Sequence, residues 1–124
     1  MKIIIFTLLI FTTCAFAAQA QKPPDSSMVT IFLKHQQNKS LKEINAKLDS
    51  NGFHKMFPPK FARVVSWYVL MGIGQVVTLK FPADKLRELN LTLANGAWGA
   101  FDTAFYPTYD YMPVYNEQQN KKKP

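Results

Sequence analysis

Val64 to Phe81 reads VVSWYVLM, then GIG, then QVVTLKF. Two β-branched, aromatic-rich runs joined by a short connector that can take positive φ predict a β-hairpin turning at Gly72-Ile73-Gly74. The rest of the folded chain can be placed around that hairpin. A dinucleotide-binding reading of the glycines fails, because a strand follows them and not a helix.

On the N-terminal side, Met28 to His35 alternates as a strand. Val29, Ile31 and Leu33 fall on one face, and Thr30, Phe32 and Lys34 on the other. Ser40 and Glu43 form an S-x-x-E capping box at the start of a helix. Leu41, Ile44 and Leu48 make its apolar stripe, and Gly52 stops it with Phe53 packing back on the last turn. His54 to Ala62 is expected to be a loop stiffened by Pro58-Pro59.

After the hairpin, Pro82 admits a second helix over Ala83 to Asn95, with Leu86, Leu89 and Leu93 as its stripe and Asn95-Gly96 as its stop. Asp84 and Glu88 favour its N-terminal end. Asp102 to Tyr106 makes a short fourth strand ended by Pro107, and Thr108 to Glu117 reads as an extended, aromatic arm. Trp67 and Trp98 are expected in the core, because aromatic residues in strands and turns usually pack.

The ends read differently. Lys2, the apolar run Ile3 to Phe16 and the small residues closing on Ala18-Gln19-Ala20 have the pattern of a secretory signal peptide over residues 1–20. Cleavage after Ala17 is the alternative, and the run is too short to span a bilayer. Export to a periplasm or medium is therefore expected, with no membrane attachment after cleavage. Residues 21–27 read as a linker, 28–115 as one domain with its arm, and 116–124 as a disordered basic tail. Cys14 is the one cysteine and would leave with the signal, which excludes disulfide, thiolate and cysteine-metal chemistry. Of the formal charge of +7, Lys121 to Lys123 supply a large share, so nothing marks a nucleic-acid groove. With only His35 and His54, no metal-ligand spacing is present, and no metal or cofactor is expected.

The element order is β-α-β-β-α-β, which defines an α+β, ferredoxin-like fold: a four-stranded antiparallel sheet with two helices on one face. This order, the domain size, the G-I-G turn and the aromatic terminal strand with its extension together resemble the dimeric α/β-barrel superfamily. That group includes muconolactone-isomerase-like, YCII-like and cofactor-free monooxygenase proteins, and some haem-handling members. The resemblance implies a homodimer whose terminal extension reaches over the partner, burying alternate tyrosines and placing Asp110 near a cavity mouth. Haem-handling relatives carry a histidine below the iron, which makes His54 the residue to test for that role.

The strands give an independent reason for a dimer. Strand two carries Val65, Trp67, Val69 and Met71 on one side, yet Val64, Tyr68 and Leu70 on the other. With Phe32 and Val76 added, the second face is too apolar to leave in water. Pairing two such faces would bury them and enclose a cavity. Phe32, Lys34, Ser66, Thr78 and Lys80 are the expected ligand-binding residues. His35, Asp102 and Tyr68 are the catalytic candidates: a carboxylate beside His35 would fix its tautomer and raise its basicity. Three functions follow. The first is an exported protein that binds a small, partly apolar molecule. The others are a cofactor-free isomerase or monooxygenase on the same scaffold, and a module that binds another protein through its open sheet face.

Overall fold

The computed structural model describes residues 25–124, so the expected signal peptide and most of the linker lie outside the described residues. Four strands, β1 (Ser26–His35), β2 (Arg63–Leu70), β3 (Gly74–Pro82) and β4 (Phe101–Pro107), form one open antiparallel sheet in the order β2-β3-β1-β4. Among the described residues four helices, α1 (Leu41–Asn51), α2 (Phe53–Met56), α3 (Leu86–Ala97) and α4 (Met112–Lys121), complete an α+β architecture compatible with a ferredoxin-like fold.

Alternation along the central strands decides where the core lies. Val29, Ile31 and Leu33 of β1, and Val77, Leu79 and Phe81 of β3, are buried in one cluster with Ile44, Leu48, Phe53, Leu89 and Leu93 of the helices. Their chain neighbours Thr30, Phe32, Val76 and Thr78 are only partly covered. We call the two sides the core face and the outer face.

Helix α1 starts as its sequence implies. The Glu43 N–H donates to Ser40 Oγ at 3.2 Å, and the Ser40 N–H donates to Glu43 Oε2 at 2.7 Å. The Ser40 N–H, and after it the Ser40 hydroxyl, stabilise the ionised carboxylate, so the Glu43 carboxyl titrates below its ordinary value of 4.5. Gly52, at φ 69°, closes the helix in the left-handed region, and Phe53 is buried behind it in the short helix α2.

Several boundaries differ from expectation for physical reasons. The first strand begins at Ser26, inside the expected linker. Residues Ala83–Lys85 form a single 3₁₀ turn before α3. Gly96 does not stop α3. A Cβ there would come within 3.0 Å of the Phe53 ring, so the glycine lets α2 pack against a helix that continues through it. Trp98, expected in the core, is 75% exposed. Asn51 Nδ2 donates to its carbonyl at 2.8 Å and to that of Gly96 at 3.2 Å, tying the end of α1 to the turn before β4.

The hairpin forms as expected, and its second glycine also serves β1. The Ile73 carbonyl accepts from the His35 N–H at 2.9 Å, and a Cβ on Gly74 (φ 150°) would collide with the Leu33 carbonyl oxygen. Strand β2 carries a bulge between Val64 and Ser66. Val64 pairs with Leu79 and therefore belongs to the core face, not with Tyr68 and Leu70 as expected, and Val65 is the inserted residue.

The arm is the largest difference. Tyr109 and Asp110 lead into helix α4, where extended chain was expected, and the helix continues into the segment read as a disordered tail. Pro113 sits in the first turn, where a proline loses no helical hydrogen bond, and Asp110 Oδ1 accepts from the Met112 N–H at 2.9 Å.

Candidate functional site

Strand register arranges the outer face in four rows running across the sheet. Arg63, Lys80 and Met28 form the first, and Ser66, Thr78, Thr30 and Tyr106 the second. Tyr68, Val76, Phe32 and Ala104 form the third, and Leu70, Gly74, Lys34 and Asp102 the fourth. Successive rows are about 7 Å apart, so the first and last are separated by about 20 Å. A small ligand held at one end cannot reach the other.

At the first two rows lies an open groove of about 1000 Å³, bordered by Arg63, Ser66, Thr78, Lys80, Thr108 and Asp110, with Met28, Val65 and Leu86 supplying apolar wall. Its floor is a row of hydroxyls. Thr30 Oγ1 lies 3.0 Å from Thr78 Oγ1 and 2.8 Å from Thr108 Oγ1, and Thr108 Oγ1 is also 2.9 Å from the Tyr106 carbonyl oxygen. A cross-strand row of threonines of this kind stabilises the sheet while keeping hydroxyl groups at its surface. The third row is apolar, with the Tyr106 ring edge-on to Phe32 at 5.7 Å.

Of the expected ligand-binding residues, the structure brings Ser66, Thr78 and Lys80 together in this groove, while Phe32 and Lys34 lie in later rows. The three catalytic candidates are not brought together. Lys34 pairs with Asp102 in register, so both lie on the outer face. His35 pairs with Phe101 instead and stacks on its ring at 5.7 Å, on the core side. The expected histidine–carboxylate pair is therefore not formed, because neighbouring positions on a strand point to opposite faces. Asp102 Oδ1 accepts from Gln36 Nε2 at 3.4 Å. Tyr68 lies in the third row, 66% exposed and apart from both His35 and Asp102. His54 lies edge-on to Phe53 at 5.2 Å, and Trp67 Nε1 donates to Gln75 Oε1 at 2.7 Å on the core side of β2.

Arg63 and Thr108 line the groove although the expected ligand set omits them, and Thr30 lies beneath it, its hydroxyl within hydrogen-bonding distance of Thr78 and Thr108. Thr30 was recoverable from alternation, since it shares a face with Phe32. Arg63 and Thr108 depend on the bulge and on the end of β4. Among the described residues no three of His, Cys, Asp and Glu gather as a metal site, and no helix is long and apolar enough to cross a membrane.

Comparison with protein-family models and with curated protein sequences gives no match for this chain. Its class therefore rests on the fold alone: an α+β domain with an open antiparallel sheet and a groove of mixed polar and apolar lining at one end of that sheet.

Proposed function

We propose that this is an exported protein of the dimeric α/β-barrel type. In this reading both helices lie on the core face, two copies pair through their outer faces, and the enclosed space binds a small, partly apolar molecule. The observation that carries the proposal is the uncovered apolar surface beside a core that is already complete. Tyr68 and Tyr106 are 66% and 56% exposed on the outer face, next to Phe32 and Val76. Helix α4 adds to this support: it buries none of its residues, and Tyr111, Met112, Val114 and Tyr115 are 40–54% exposed. An isolated helix of ten residues is marginal in water. A second copy would give α4 and the outer face a common apolar partner, as self-complementary two-fold packing requires. The enzymatic alternative loses its paired base, since His35 and Asp102 face opposite sides of the sheet.

Sedimentation velocity on residues 21–124 tests the dimer. A species of twice the chain mass is expected, and Phe32→Glu should shift it to monomer with an unchanged far-UV spectrum. A wild-type monomer across the micromolar range would end the proposal. Native mass spectrometry of protein taken from its own source then reads any retained small molecule as added mass on the dimer.

A further inference from the structure

We infer that the groove at the Arg63–Lys80 end binds the carboxylate of a small amphipathic acid. This rests on the proposed small-molecule reading for the ligand's apolar body, but the anion site stands on its own observations.

Arg63 and Lys80 are direct cross-strand partners. Like charges placed opposite each other destabilise an antiparallel pair unless something negative lies between them. Among the described residues, the ion pairs within 4 Å are Lys85–Glu88 and Lys121–Glu117, so neither Arg63 nor Lys80 has a carboxylate partner at that distance. Asp110 borders the same groove, but its Oδ1 is engaged by the Met112 N–H. Arg63 and Lys80 against Asp110 leave one net positive charge, which matches a monoanion better than a dianion. Arginine further suits the planar, two-oxygen geometry of a carboxylate.

The hydroxyl row adds a requirement of its own. Thr108 carries one hydroxyl proton, yet its oxygen lies within hydrogen-bonding distance of both the Tyr106 carbonyl and Thr30 Oγ1. If the Thr108 proton goes to the carbonyl, the row runs from Thr78 through Thr30 to Thr108 and uses the Thr78 proton internally. If it goes to Thr30, the row runs outward and leaves the Thr78 proton free to be donated into the groove, beside Ser66. An acceptor at the Arg63–Lys80 end favours the outward order. Two cations, two hydroxyls able to donate and an apolar wall of Met28, Val65 and Leu86 together describe a site for an oxyanion with a hydrocarbon body.

The test uses hexanoate, neutral hexanamide and inorganic phosphate as probes on residues 21–124, read by calorimetry and by NMR shifts at Thr78 and Lys80. Hexanoate is expected to bind at least about tenfold more tightly than hexanamide, and to weaken as salt rises. Arg63→Gln and Lys80→Gln are exposed substitutions that leave the core intact, and each should remove the preference for hexanoate over hexanamide. Equal binding of hexanoate and hexanamide by the wild type would overturn the anion site, as would binding of neither. Stronger shifts with phosphate than with hexanoate would overturn the carboxylate assignment. A monomer that still prefers hexanoate and loses the preference in both variants would keep the anion site while the dimer reading failed.

Discussion

Leu33 and Phe32 are consecutive in the chain and occupy opposite environments. Leu33 is fully buried in the core cluster, whereas Phe32 lies in the apolar row of the outer face, edge-on to Tyr106. The same contrast runs along β3 between Leu79 and Thr78. One parity of the central strands suffices for a closed core, which frees the other parity for hydroxyls, cations and aromatic rings. A sheet face that the fold does not need can be used for binding.

The largest test of that contrast sets those neighbours against each other. Leu33→Ala should cost about 2–5 kcal/mol in urea denaturation, through lost burial and the cavity left behind. Phe32→Ala should cost the dilute chain about 1 kcal/mol, close to the value of one edge-on aromatic pair. Equal losses at the lowest protein concentration would mean that the outer face is part of the single chain's core.

The helices carry the same comparison at smaller scale, since α1 buries Ile44 and Leu48 in the core while α4 buries none of its residues. Ser40→Ala should lower stability by about 1 kcal/mol, the usual worth of an N-cap hydroxyl. Amides of α1 should exchange with solvent only at the rate of global unfolding, and those of α4 much faster in dilute solution. Slow exchange in α4 at all concentrations would show that it packs on its own chain.

The smallest effect is electrostatic. The folded Glu43 carboxyl titrates below 4.5, chiefly because the Ser40 amide and hydroxyl bond its charged form. Its contribution to stability is therefore fully present above the unfolded value and is lost as pH falls through the folded one. Carbon-detected NMR titration should place Glu43 below its ordinary value and move it upward in Ser40→Ala. An unshifted Glu43 in the wild type would remove the capping box from the account.

Local signals were legible in the sequence. The Ser40–Glu43 box, the Gly52 stop and the hairpin turn each depend on a few adjacent residues whose chemistry admits one solution. Alternation on β1, on β3 and on β2 beyond its bulge was equally readable, and it correctly put Phe32, Val76 and Tyr68 on one face. The failures came from pairing. Placing His35 beside Asp102 needed the β1–β4 register, and a shift of one residue exchanges faces. The bulge that moved Val64 is set by partner strands. Gly96 looked like a stop because the approach of Phe53 is a tertiary fact. The arm misled because Pro113 breaks helices everywhere except in the first turn, which is where it falls.

The inserted Val65 has a consequence for solubility. Strand β2 ends the sheet and is rich in valine and aromatic residues, the composition of a sticky ribbon that invites another chain to add on. An extra residue coils that border and breaks the even spacing of its free amide and carbonyl groups. A stray strand then finds no straight template, so the protein can carry a greasy border without seeding fibres.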